Sequence, residues 1–478
     1  MYQTKVFPLL SVILLPISLT YHQVYAQYQA LKPQTDTFNS SATITPAQQR
    51  SAGINATLAN NLAVSLNFER SNFAHGPGSS DSFYHVPLGS AAAAPGTLLK
   101  LQVDANTTAY TLPPNTALSR FIFQSESING SKVPVSAYIL WPYLPRTETD
   151  GLPVVAWAHG TSGLFGNCAP SNYRNLLYQF ATIFELALQG YVVVAPDYLG
   201  LGVSKDAQGK PLTHPYFGTP SHANDLFYSV QAARTAFPSL SKRFVVMGHS
   251  QGGGAAWAAA VRQAQKPVKG YLGAVVGSPV TDFIGLVKTT GSATVAAFIA
   301  RTLTTLYPSV VKLSDILTPA GIGRLALTAE IQGCLSTATE LFADQNLTQP
   351  NWTDNHYVQV YNNLTDPGGK PIAGPVLVLQ GDSDASVPFP VVTDSVHETC
   401  TKHPDSRLHY ATFAGAAHVP TMFASQRLWL DFIAARFAGT TVGKGCRTSN
   451  YTSARPYRYY QKEQSWFVEY AVDAYETA

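Results

Sequence analysis

The chain has 478 residues, of which 45% are hydrophobic and 12% charged. That balance excludes an intrinsically disordered chain, which is poor in apolar side chains and rich in charge. The 31 basic and 28 acidic residues leave a net charge of +3 with no long Lys/Arg run, which sets aside the clustered basic surface of a nucleic-acid binder.

The first 26 residues read as a secretory signal peptide. Lys5 supplies the charge, residues 6–19 are apolar, and Val24-Tyr25-Ala26 fits a cleavage site. The apolar run holds Pro8 and Pro16 and is shorter than the roughly 20 residues a bilayer span needs. Asn-x-Ser/Thr sequons at Asn39, Asn55, Asn106, Asn129, Asn346, Asn351, Asn363 and Asn450 are glycosylation candidates and agree with secretion. Four cysteines, Cys168, Cys334, Cys400 and Cys446, suit an oxidising compartment and allow three pairings. None has the spacing of a metal site, so no metal is expected.

Residues 27–114, rich in Ser, Thr, Ala and Asn, read as a partly irregular leader wrapping the core. Residues 120–127 and 135–141 read as strands, with Asn129-Gly130 as a hairpin signal between them. Short apolar runs at 152–158, 191–195, 244–247, 271–276, 375–379 and 408–413 predict buried strands. Helices are expected over 172–188, over 221–237 with Ser221 as N-cap and Pro238 beyond the end, and over 251–263. Apolar strands alternating with helices predict an α/β fold with a mostly parallel sheet covered on both faces. Residues 280–374 lack a buried-strand signal, while Val295, Phe298, Ile299, Leu303 and Leu306 fall at helical spacing. This stretch is expected to form a helical cap after the sixth strand. The core is then 115–279 plus 375–446, and 447–478 is a Tyr-rich tail.

Gly248-His249-Ser250-Gln251-Gly252 is a G-x-S-x-G motif that follows one predicted strand and opens the next helix. That is the setting of a nucleophile elbow, which lifts a serine off the C-terminal edge of the sheet. A serine hydroxyl needs a base, and the base an orienting carboxylate. In the α/β-hydrolase fold the chain order is serine, acid, histidine. Asp384 follows the strand at 375–379, and His418 follows the strand at 408–413. Asp382 competes for the acid role and is read as serving the turn; His249 is read as structural. An oxyanion hole needs backbone N–H groups. Gln251 is expected to supply one, and the loop after 152–158 the other, with Thr161 the first choice and Ser162 the second.

The motifs WAHGTSG and NCAPS within 157–171, APDYLGLG at 195–202, GHSQGG at 248–253, GDSDASVP at 381–388 and AGAAH at 414–418 resemble the fungal secretory lipases, the Candida antarctica lipase A-like group of α/β-hydrolases. The resemblance spans about 115–446. It implies a triad of Ser250, Asp384 and His418, and disulfides Cys168–Cys334 and Cys400–Cys446. It also implies hydrolysis of carboxylic esters through an acyl-enzyme, with no cofactor. HGTSG differs from the family lipase, which carries an acidic residue in that loop. The expected partner is a small-molecule or lipid ester, with transient contact at a lipid interface, no nucleic acid and no obligate protein partner. A prolyl-type serine peptidase, an acyltransferase, and a catalytically dead fold used for adhesion are the alternatives. The retained Ser, Asp and His speak against the last.

Overall fold

The computed structural model describes residues 41–343 and 346–460. The proposed signal peptide, Asn39 and the end of the tail lie outside these residues. Among the described residues a single ten-stranded sheet runs in the order β1-β2-β3-β5-β4-β6-β7-β8-β9-β10. Its strands are β1 (Leu98–Gln102), β2 (Ala117–Glu126), β3 (Lys132–Trp141), β4 (Leu152–Ala158), β5 (Val192–Pro196), β6 (Leu240–His249), β7 (Tyr271–Gly277), β8 (Val376–Gly381), β9 (Leu408–Phe413) and β10 (Cys446–Tyr451). The pairs from β1 to β3, and β3 with β5, are antiparallel; from β5 onward the sheet is parallel. The central strands β4 to β9 are buried along almost their whole length, so helices cover both faces. This is the α/β-hydrolase architecture.

The helices are α1 (Pro46–Ala52), α2 (Ala56–Ser71), α3 (Ile183–Leu188), α4 (Thr219–Ala236), α5 (Gln251–Gln265), α6 (Phe283–Thr290), α7 (Ala293–Leu306), α8 (Pro319–Ile331), α9 (Leu335–Leu341), α10 (His356–Thr365), α11 (Phe389–Lys402), α12 (Pro420–Ala424) and α13 (Gln426–Phe437). None of them is long and apolar enough to cross a membrane. Helices α6 to α10 make up the segment expected to be a cap. The six strands read from sequence precede it, and β1 adds a seventh at the sheet edge.

Two local expectations are corrected. Residues 172–182 are not helical but run through short 3-10 turns, with left-handed backbone at Leu176, Leu177 and Gln179. The Asn175 side chain accepts the Leu177 N–H at 2.9 Å, a local bond that competes with helix formation. Ser221 is not an N-cap: α4 begins at Thr219, with Gly218 as the cap residue. Pro220 sits in that first turn, where its missing N–H costs nothing.

The leader is more ordered than its composition suggested. Thr45 and Gln48 form a capping box on α1, and Asn55 caps α2. Both helices lie against the segment expected to be a cap. Gln48 donates to Glu330 of α8 at 2.9 Å, and the buried Glu69 of α2 accepts the N–H groups of Cys334 and Thr337 at 2.8 and 2.7 Å. That carboxylate satisfies orphan donors at the start of α9. At the other end, β10 pairs in parallel with β9, so the sheet reaches five residues into the segment read as tail.

The structure joins Cys168 to Cys334 and Cys400 to Cys446. The first bridge ties the loop after β4 to the cap; the second ties α11 to the start of β10. All seven described sequon asparagines are exposed.

Candidate active site

Strand β6 ends at His249 and α5 starts at Gln251, which leaves Ser250 alone at the turn. Its backbone lies at φ 59°, ψ −123°, a region non-glycine residues rarely occupy. The turn is held by Ser250 N–H on the Gly277 carbonyl at 2.9 Å, and by Gly254 and Val280 N–H on the Ser250 carbonyl, both at 3.1 Å. Glycine is required on either side. A Cβ on Gly248 would overlap the Gly252 carbonyl, and one on Gly252 would overlap the Ala158 carbonyl at the end of β4. The start of α5 beneath Ser250 favours negative charge.

Asp384 lies just beyond β8, with its side chain fully buried. Its Oδ1 accepts the N–H groups of Ser386 and Val387 at 3.0 and 2.8 Å. Its Oδ2 meets His418 Nδ1 at 2.7 Å and Gln380 Nε2 at 3.3 Å. Burial pulls its pKa up, but the His418 hydrogen bond and charge outweigh burial and hold it below the usual carboxylate value. Asp382 is exposed and turned away: it accepts the Gly415 N–H at 2.6 Å and so ties the acid loop to the histidine loop.

The geometry thus joins His418 to Asp384 and sets the Ser250 turn beside them. No hydrogen bond connects Ser250 Oγ to the His418 ring. His249 does more than its sequence position indicated. Its ring lies 4.4 Å from that of His418, and its Nε2 donates to the His418 carbonyl at 3.2 Å. Its Nδ1 then accepts the Tyr178 hydroxyl at 2.9 Å. The Tyr178 hydroxyl also packs directly against Gly160. Burial first, and the neighbouring His418 second, lower the His249 pKa to about 3, so its ring stays neutral. One neutral chain therefore links the loop after β4, the elbow and the histidine loop.

In the loop after β4, Gly160 is packed so closely that a Cβ would overlap Tyr178 and lie 3.2 Å from Ser250 Cβ. Thr161 Oγ1 is 3.1 Å from the Tyr216 hydroxyl and donates to Gln251 Oε1 at 3.2 Å. Ser162 faces the cap, where its carbonyl accepts the Leu335 N–H at 2.9 Å. The structure therefore brings the Thr161 side chain to Gln251 and ties the Ser162 carbonyl to Leu335.

Tyr178, His214 and Tyr216 were missed by sequence reasoning. They lie in turns without regular periodicity, and their partners are 37 to 71 residues away. Among the described residues no group of three or more His, Cys, Asp or Glu is placed to hold a metal ion.

A secreted triacylglycerol lipase of Malassezia globosa is 24% identical over 402 residues, covering 77% of this chain and 81% of its own. Lipase 10 of Candida albicans is 24% identical over 411 residues, covering 78% and 83%. The fold is similar to that of Candida antarctica lipase A in its closed state, with a TM-score of 0.62 at 17% identity, over 77% of this chain and 88% of that one. It is also similar to the rice cell wall degrading esterase LipA of Xanthomonas oryzae, with a TM-score of 0.53 at 19% identity, over 72% and 98%. The secretory lipase profile matches residues 170–445, more than half of the chain. With the elbow, the acid loop and the histidine loop at one sheet edge, the chain belongs to the secretory lipase family, carboxylic ester hydrolases of the α/β-hydrolase fold.

Proposed function

We propose that this protein is a secreted serine hydrolase that cleaves uncharged carboxylic esters through a Ser250–His418–Asp384 triad. The hydrogen bond from His418 Nδ1 to Asp384 Oδ2, made beside the Ser250 elbow, carries the reading. With Nδ1 donating to the carboxylate, the neutral ring presents the Nε2 lone pair as base. His418 Nε2 takes the Ser250 proton as Oγ attacks the ester carbonyl. The oxyanion is bound by the N–H groups of Gln251 and Thr161. Collapse of the intermediate expels the alcohol with the proton from His418 and leaves an acyl-enzyme. Water, deprotonated by His418, then releases the acid and restores Ser250. The reading requires a Ser250 Oγ–His418 Nε2 hydrogen bond to form with substrate in place, since catalytic bonds are commonly made or tightened in the substrate complex.

The two disulfides and the exposed sequons support passage through an oxidising secretory route. The cap helices α6 and α7 are rich in buried apolar side chains, including Phe283, Leu286, Phe298 and Ile299. An apolar cleft gains only about 0.8 kcal/mol per buried methylene, so chain-length preference is graded. Short to medium acyl chains are the expected optimum, with long-chain triglyceride a weaker substrate. The test is kcat/KM of the mature protein on p-nitrophenyl esters from acetate to palmitate, with emulsified triglyceride alongside. Ser250→Ala should lose about 10⁴-fold or more in kcat while remaining folded. Near-wild-type turnover by folded Ser250→Ala would remove the mechanism. A sharp rise at the lipid interface with a long-chain maximum would overturn the chain-length preference.

A further inference from the structure

The Gln251 side chain is buried beneath the elbow and makes two hydrogen bonds that the reaction as described leaves unused. Its Nε2 donates to His214 Nε2 at 3.0 Å, and its Oε1 accepts the Thr161 hydroxyl at 3.2 Å. His214 dictates this orientation. Its Nδ1 lies 3.0 Å from the Leu199 carbonyl, which only accepts, so Nδ1 carries the proton. Burial keeps the ring neutral, with the pKa lowered to about 3, so Nε2 must accept. The Gln251 amide oxygen then has to face Thr161, and Thr161 has to donate to it. The Tyr216 hydroxyl, 3.1 Å from Thr161 Oγ1, donates to Thr161 in turn. Every proton in the chain from Tyr216 through Thr161, Gln251 and His214 to Leu199 points one way. Both ends are clamped. His214 stacks on His222 with centroids 5.2 Å apart and planes at 10°. Tyr216 packs edge-on against Phe298 of the cap, and its N–H donates to Thr302 at 3.0 Å.

We infer that this side-chain relay sets the oxyanion hole, with Gln251, His214 and the Thr161 hydroxyl as its positioning residues. The inference rests on the proposed triad and on Gln251 and Thr161 as backbone donors. Those donors sit on separate segments, one at the start of α5 and one in the loop after β4. The Thr161–Gln251 side-chain bond spans the gap between them. An oxyanion hole works by being preorganised, and a misplacement of about 1 Å costs on the order of 100-fold in rate.

The test uses the intact enzyme with Gln251→Met and Thr161→Val. Both keep the backbone N–H and remove one link of the relay. Active sites are first counted by labelling Ser250 with a p-nitrophenyl alkylphosphonate, which releases p-nitrophenolate. Turnover of p-nitrophenyl butyrate is then measured per labelled site. A trifluoromethyl ketone is the second probe: Ser250 Oγ adds to its carbonyl, the serine proton passes to His418, and the carbonyl oxygen becomes the oxyanion. Each variant should lose about 10- to 100-fold in kcat, with KM within about twofold. The ketone's Ki should rise by the factor that kcat/KM falls. The double variant should lose little more than either single one, because both cut the same relay. Thr161→Ser should recover at least half of the logarithmic loss of Thr161→Val. A merely structural role would lower melting temperature and labelled fraction but leave turnover per labelled site unchanged. Turnover per site within about threefold of wild type in either folded variant would overturn the inference. Failure of the phosphonate to label Ser250 in the wild-type enzyme would instead remove the triad beneath it.

Discussion

Asp384→Asn is the sharpest test of the site, because the structure leaves the new amide one orientation. Asp384 Oδ1 receives backbone N–H groups from Ser386 and Val387, which can only donate, whereas the donors on Oδ2 are His418, which can change tautomer, and Gln380, whose amide can flip, so the amide oxygen stays on the Oδ1 side. The amide nitrogen then takes the place of Oδ2, 2.7 Å from His418 Nδ1. Two N–H donors cannot face each other, so His418 moves its proton to Nε2, the atom that must accept from Ser250. The fold is kept and the base is lost. The expected drop in kcat is about 10⁴-fold, or about 5.5 kcal/mol of transition-state stabilisation. The assay is p-nitrophenyl butyrate hydrolysis, normalised to folded protein by circular dichroism. Asp382→Asn is the comparison: it keeps the oxygen that accepts the Gly415 N–H and should cost less than about tenfold. Turnover by Asp384→Asn within about tenfold of wild type, or a larger loss in Asp382→Asn, would refute the reasoning. Stability gives a second readout. The Asp384 pKa is depressed in the folded state, so its contribution is present above the unfolded carboxylate pKa, about 3.9, and fades as pH falls through the folded value. Wild type should lose this contribution, which the variant lacks, only below about pH 4.

Two further predictions concern the scaffold. Gly252→Ala drives a methyl group into the Ala158 carbonyl and should destabilise by about 3 kcal/mol, with loss of activity; an unchanged denaturant midpoint would argue against the tight elbow. The Cys168–Cys334 bridge spans 166 residues and Cys400–Cys446 spans 46, so loop-closure entropy assigns them about 5 and 4 kcal/mol. Replacing both cysteines of a pair by alanine should lower the denaturation midpoint more for the first pair. The reverse order would show that native contacts, not chain entropy, dominate.

What was legible in the sequence is what local chemistry dictates. The runs at 152–158 and 191–195 are short, apolar and rich in valine, as buried strands of a covered sheet are, and the structure has strands there. Gly248 and Gly252 around Ser250 announce a turn that excludes Cβ atoms, and the sheet places that turn at its C-terminal edge. Asp384 and His418 were named by their place after strands, and they meet at 2.7 Å. What the sequence left open depends on distant partners. The leader has too little amphipathic signal to show that α1 and α2 dock on the cap, because the receiving groups, Glu330, Cys334 and Thr337, lie more than 260 residues away. Residues 172–182 carry helical spacing, yet an Asn175 side-chain bond and left-handed backbone at three residues override it within buried surroundings. The parallel pairing of β10 is equally invisible, since its strand is polar and exposed and is defined only by the edge of β9. The relay through Gln251 belongs to tertiary structure alone. A glutamine after the nucleophile says nothing of its side chain until folding brings His214 and Thr161 to its two ends and leaves each proton one place to go.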